Sequence, residues 1–354
     1  MISFNRGEWS EVYGVLFLLI KPKMQIVDSK LNPIPSSDFY TIRKIILESA
    51  IKLEYEIFDD SIAIFIQGTE FNRLTKEEID YNRKLLLQKI LSVSEKSGAF
   101  EIPSIEDFLS KLANGHVIKG KSKDKSDIKL IAIDRVVNDT KTLTYSIKSS
   151  LGSPATILNA SNHTNFLFEV KNLNPSSIDR INSIATRTKL IDRINAIKSN
   201  GGVIKFKKVC SDTLDYNLRM IDSKLPEYLG NALLYSYTKN TKDLKEIFLS
   251  SNTFADMSFG LKKLGDFLSG ISFGFIPSEK WNGKKTVTGG LLVVKSNGDI
   301  VFLDLIYYEN EVINYMISES KLDSPSSTRY KMLELTNDNG TITFSLNLQV
   351  RYKK

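Results

Sequence analysis

One cysteine, two histidines and no long apolar run narrow the chemistry open to this 354-residue chain. The lone thiol, Cys210, closes no internal disulfide and builds no cysteine-rich zinc site. It is expected to be a small buried hydrophobe rather than a nucleophile. His116 and His163 stand far apart, and neither has a visible metal-binding or Ser-His-Asp partner set. The longest apolar run, residues 12–20, is interrupted by Tyr13 and Gly14 and stopped by Lys21 and Pro22. It is too short to span a bilayer, and no small-residue cleavage site follows it as in a signal peptide. Gly289-Gly290 lacks the rest of a dinucleotide fingerprint and there is no P-loop, so no nucleotide cofactor is expected. Internal repeats and low-complexity tracts are missing as well. A cytoplasmic protein with no membrane attachment is the consistent expectation.

What is present is ordinary in amount: 42% hydrophobic and 25% charged residues. The length suffices for two packed units or one elaborated domain with a sizeable core. A net charge of +7 points mildly to an anionic partner, either nucleic acid or an acidic membrane surface.

Hydrophobic spacing predicts a leading helix over residues 8–20, with Trp9, Val12, Leu16 and Leu19 on one face. Prolines 22, 33 and 35 mark a loop around a short hairpin at 24–27. A strand is expected at 62–67, and Thr75 with Glu78 makes a capping box for a long helix ending near Gly98. Another helix opens at Ser104 and Asp107 and stops at Asn114-Gly115. Past Pro175 a helix is expected to run to Gly201-Gly202, followed by a strand at 203–209. Helices are expected at 214–224, 226–239, 241–249 and 261–268. From Thr286 the pattern alternates, with strands at 287–295, 300–305 and 341–351 and turns at Asn297-Gly298 and Asn339-Gly340.

The informative stretch is 119–166. A basic run (Lys119, Lys121, Lys123, Lys125) ends in Asp127, which opens the apolar strand 128–133. A turn at Asn138, Asp139 and Thr140 leads into an alternating strand, 142–147, that delivers Lys148 at its far end. A third strand, 165–170, is expected to extend this hairpin. Neighbouring antiparallel strands would set a carboxylate and an ammonium side by side, which suits a hard divalent cation and an activated water. The plain alternative is a cross-strand ion pair worth about 1 kcal/mol or less.

An acid followed across a hairpin by (Asp/Glu)-x-Lys resembles the signature of the PD-(D/E)XK nuclease superfamily. The string SIKSSLGSPATILNASNHTNF at 146–166 is similar to the corresponding block of HpaII-family type II restriction endonucleases. The resemblance continues through RGEWSEVY at 6–13, WNG at 281–283, TGGLLVV at 288–294, SPSSTR at 324–329 and LNLQVR at 346–351. These blocks stand in family order and cover nearly the whole chain. One residue departs from the pattern: Ser146 stands where the superfamily usually has its second acid.

The resemblance implies Mg²⁺ as cofactor, held by Asp127, with Lys148 activating water. Glu11 is the first choice to replace the missing acid, because Gly7 and Glu11 resemble the Gly-x-x-x-Glu start of the leading helix in related nucleases. Glu8 is one turn away on the same face, although two acids in a first turn also suit the helix dipole. Glu169 is the reserve; Asn162 occupies the place where a more distal acid would stand. Lys125, Ser149, Ser150, Asn159 and Asn165 are expected DNA contacts, mainly to phosphates, and Arg329, Gln349 and Arg351 are recognition candidates. For Arg329 the structural alternative is an ion pair with Asp323 or Glu334. Trp9 and Trp281 read as core or hinge aromatics.

The implied fold is α/β and restriction-endonuclease-like: a mixed sheet flanked by helices, with a helical middle and a β-rich C-terminal part. Residues 1–172 would form the nuclease core and 173–354 a recognition and dimerisation part. The implied activity is hydrolysis of double-stranded DNA at CCGG, cut after the first C, by a homodimer matching the palindrome. A methyltransferase for the same site would be its genetic partner. Two other readings fit the same residues: a non-cleaving DNA-binding protein in which Ser146 marks a decayed site, and a repair nuclease that cuts by DNA structure.

Overall fold

The computed structural model describes residues 2–35, 39–94, 98–118 and 125–353. Contacts group the chain into two units, Met1–Ala155 with Lys285–Tyr315, and Thr156–Lys284 with Met316–Lys353. Residues 285–315 therefore group with the N-terminal part rather than with the segments around them.

The first unit is built on an eight-stranded mixed sheet. From one edge to the other its strands are Ile300–Asp304, Gly290–Val294, Asp139–Ser149, Ile128–Asp134, Tyr40–Glu48, Lys52–Ile57, Ser61–Ile66 and Thr69–Thr75. The leading helix, Arg6–Ile20, is closed by a full capping box. The Asn5 side chain accepts from the Glu8 N–H at 3.1 Å, and the Glu8 carboxylate accepts from the Asn5 N–H at 3.0 Å. Its apolar residues are buried on nearly every side, which accounts for a run that has no membrane role to explain it. Buried Arg6 donates to the Ile90 carbonyl (3.1 and 2.7 Å), tying this helix to the last turn of the helix Lys76–Ser92. Among the described residues no helix is long and apolar enough to cross a membrane.

Several expected elements shift for identifiable reasons. The helix begun by Thr75 stops at Ser92 and has only half a box, since Glu78 turns instead to Lys111 at 2.8 Å. Strands Tyr40–Glu48 and Lys52–Ile57 escape pattern reading because their charges look like loop residues. In the sheet these charges pair with one another, Lys44 with Glu56 at 2.5 Å and Lys52 with Glu54 at 3.0 Å. The hairpin's expected third strand exists as Asn165–Lys171, yet it pairs with Val203–Val209 and Thr341–Asn347 in the second unit. The place beside the hairpin belongs to the parallel strand Gly290–Val294, whose five residues are all buried. A continuously apolar strand suits an inner parallel position, whereas the alternating Asn165–Lys171 suits an antiparallel sheet with one solvated face.

The second unit packs helices on a four-stranded antiparallel sheet whose core is a cluster of Phe166, Phe168, Phe206 and Phe344. The single helix expected after Pro175 is split into Ile178–Asn182 and Lys189–Ser199. Arg193 satisfies carbonyls released at the break, donating to Ile184 (3.2 Å) and Asn182, and also donates to the Leu333 carbonyl at 3.0 Å. Cys210 is exposed, not buried, because it lies past the end of Val203–Val209 and just before the helix cap Ser211.

Candidate active site

Strand Ile128–Asp134 pairs with Asp139–Ser149 so that Ile128 faces Tyr145. Just before the ladder the Asp127 N–H donates to the carbonyl of the same Tyr145 at 2.9 Å. Ser146 and Lys148, two apart on one strand, share a face, and the Asp127 carboxylate reaches Ser146 Oγ there. Oxygen Oδ2 of Asp127 accepts from the Ile147 N–H at 2.6 Å and from Ser146 Oγ at 3.1 Å. Its Oδ1 accepts no hydrogen bond among the described residues. Ser146 thus positions the carboxylate beside it instead of supplying a second one.

The Lys148 ammonium makes no hydrogen bond or ion pair among the described residues. Its strand is held by the parallel pairing of Lys148 with Val293, and the Ser150 N–H donates to the Val294 carbonyl at 2.8 Å. Lys125 belongs to the same group. Burial, helped by the Lys148 charge and opposed by Asp127, lowers its pKa to about 8.

The leading helix covers the other face of this strand, with Gly14 against the Ile147 side chain and Ser149 Oγ donating to Ser10 Oγ at 2.9 Å. That contact brings Glu11, the next residue of the helix, to the Lys148 end of the strand. Glu8 spends its carboxylate on the capping box. No group of three or more His, Cys, Asp or Glu residues able to hold a metal occurs among the described residues. Asp127 Oδ1 and the carboxylate of Glu11 are hard oxygens. Mg²⁺ is typically held by one or two carboxylates, with phosphate and water completing its shell, so this set fits.

The other expected contacts divide. Lys119, Lys121 and Lys123 lie outside the described residues, and Lys129 pairs with Glu48 at 2.7 Å. Ser149 is engaged with Ser10 and Leu151, while Ser150 is exposed. In the second unit Asn159 is exposed, whereas Asn165 accepts from the Asn347 amide at 2.7 Å within a network that includes Ser161 and Thr164. Arg329 is exposed, lies over Tyr330 and pairs with neither Asp323 nor Glu334. Asp323 pairs instead with Arg351 at 2.8 Å, and Gln349 is buried. Glu169 faces Lys171 at 3.9 Å. The indole N–H groups of Trp9 and Trp281 donate to the Phe100 and Lys284 carbonyls. Ser10 and the Ile147 N–H were not singled out from sequence. A helical serine and a backbone donor carry no chemical signature until the pairing is known.

The family model described as HpaII restriction endonuclease matches residues 5–352. The chain is also 34% identical over 362 residues to the type II restriction enzyme HpaII of Haemophilus parainfluenzae, covering 99% of this chain and 98% of that one. No solved structure matches.

Proposed function

This chain belongs to the HpaII restriction endonuclease family and is a type II site-specific deoxyribonuclease, and we propose that it hydrolyses duplex DNA with Mg²⁺ at CCGG, after the first C. The observation that carries the mechanism is the shared face of Asp127, Ser146 and Lys148. Ser146 Oγ and the Ile147 N–H grip one oxygen of Asp127, leaving Oδ1, with Glu11, to hold the cation. When bound, that cation supplies Lewis acidity at the scissile phosphate and charge for the leaving 3′-oxygen. Lys148, uncommitted among the described residues, orients the attacking water and offsets phosphate charge, with Lys125 adding a second positive charge beside it. Breaking the P–O3′ bond leaves a 5′-phosphate and a 3′-hydroxyl.

The nuclease core is assigned to residues 1–172 and recognition with dimerisation to 173–354, apart from 156–172, which group with the second unit, and 285–315, which rejoin the core's sheet. Arg329, in no ion pair among the described residues, is the leading base-reading candidate there, ahead of buried Gln349 and of Arg351, which pairs with Asp323. A palindromic site calls for a homodimer and for a methyltransferase that protects the host.

Sequenced plasmid incubated with the protein and Mg²⁺ gives discrete fragments whose mapped ends all lie in CCGG. Ends at another sequence overturn the specificity; retarded but uncut DNA makes the protein a binder; cuts that follow DNA structure make it a repair nuclease. The two helix acids separate cleanly. Glu11→Gln lowers cleavage by roughly 10²-fold with little change in Tm. Glu8→Ala retains cleavage and loses stability of about 0.5–2 kcal/mol, the usual value of a cap. Single-turnover cleavage and thermal unfolding of both variants decide the assignment, and a reversed pattern would move the ligand to Glu8.

A further inference from the structure

The first unit contains a second acidic group, deeper than the first. Segment 22–27 hydrogen-bonds on one side to strand Tyr40–Glu48 (Met24 N–H to Tyr40, Ile42 N–H to Pro22) and on the other to Phe302 (Val27 N–H to Phe302, Phe302 N–H to Gln25). It thereby joins two strands that have three others between them in the sheet, and brings Tyr40 to Asp304. Asp134 and Asp304 are both fully buried. Asp134 accepts from the Val136 N–H at 2.9 Å and the Tyr307 hydroxyl at 2.8 Å. Asp304 Oδ2 accepts from the Ile306 and Tyr307 N–H groups at 3.1 and 2.7 Å.

Three oxygens are left over. Among the described residues Asp304 Oδ1 and the hydroxyls of Tyr40 and Tyr145 are buried and have no partner. Tyr145 and Asp304 stand on the two strands flanking Gly290, each directly opposite it, so their side chains share a face across a residue that has none. Tyr40 stands opposite Asp134, and its ring lies 6.1 Å from that of Tyr307, whose N–H holds Asp304 and whose hydroxyl holds Asp134. The groups acting on Asp304 are its two backbone donors and Asp134, and none of them is a cation. Buried carboxylates without a counter-charge are costly, and buried polar oxygens are normally satisfied.

We propose that Asp304 Oδ1, Tyr40 and Tyr145 form a buried site for one dehydrated monovalent cation, Na⁺ or K⁺, separate from the cleavage centre. A single water would satisfy the three oxygens and leave both carboxylate charges uncompensated. A cation answers both needs. One carboxylate oxygen with two neutral hydroxyls is too weak a set for a divalent ion, which takes several charged ligands. The site ties together the strands that carry the cleavage residues, so its occupancy acts on the stability of that sheet.

The test is thermal unfolding of the full chain at pH 8, without DNA, in sodium, potassium or tetramethylammonium chloride at equal ionic strength. Wild type unfolds roughly 2–4 °C higher with one of the alkali ions than with tetramethylammonium. Asp304→Asn abolishes that difference, and Tyr145→Phe, which removes a ligand oxygen and little volume, reduces it even where the Asn variant fails to fold. Burial raises Asp304 to about 6, so the difference should also fade below that pH as the carboxyl takes a proton. A wild-type Tm indifferent to the cation, or a Tyr145→Phe protein with the full preference, leaves only water there and overturns the proposal.

Discussion

Lys148→Ala and Asp127→Asn each lower the cleavage rate by roughly 10³-fold, about 4 kcal/mol of transition-state stabilisation. Duplex binding measured without metal stays close to wild type. The size follows from what each side chain does. Lys148 has no partner among the described residues, so its removal costs the fold almost nothing and takes away the charge beside the phosphate. Asn at 127 keeps the shape of the group but places a neutral amide where the anionic oxygen would meet the cation. It can still accept from Ser146 and the Ile147 N–H, so the strand ends should stay joined. Single-turnover cleavage with equilibrium binding in EDTA separates the two effects. Either variant cutting at the wild-type rate would remove its residue from the centre.

The largest structural effect belongs to Gly290→Ala. Gly290 has φ +127°, and a Cβ there would lie 2.1 Å from the Leu303 carbonyl oxygen. That oxygen is part of the ladder joining Gly290–Val294 to Ile300–Asp304, so neither strand can give way. Strain and overlap together cost about 3–5 kcal/mol, comparable with the stability of a marginal domain. The same strand lies beside Tyr145–Ser149 and supports Lys148. Gly290→Ala should therefore express poorly or unfold early, and any folded fraction should cut slowly. A variant with wild-type Tm in thermal unfolding would show that the turn can relax.

How much was legible varies from element to element. Val203–Val209 is found where alternation puts it, and the hairpin strands at 128–134 and 139–149 lie within a few residues of their expected bounds. Local pattern suffices when a strand has one buried and one solvated face. It failed at Tyr40–Glu48 and Lys52–Ile57, where charges meant to pair across strands imitate a loop. The helix Glu309–Glu319 was overlooked inside an alternating tail. The helix expected over 176–201 ignored a break that Arg193 alone makes tolerable. In the candidate site, the placing of Asp127 and Lys148 on paired strands was legible because their spacing across a hairpin is chemical information in itself. Ser146 showed only an absence, and its hydrogen bond to Asp127 required the register.

The amino-acid order was enough to name the carboxylate, the ammonium, the turn between their strands and the family the whole chain resembles, since these depend on residue type and short spacing. Tertiary structure decided which strand lies beside Lys148, which helix acid is taken up by a cap, and that two carboxylates are buried near one another with no cationic side chain acting on Asp304 among the described residues. Each of these depends on partners far apart in sequence, such as Val293 with Lys148 and Tyr40 with Asp304. Strand alternation reports which face is buried but not what will cover it.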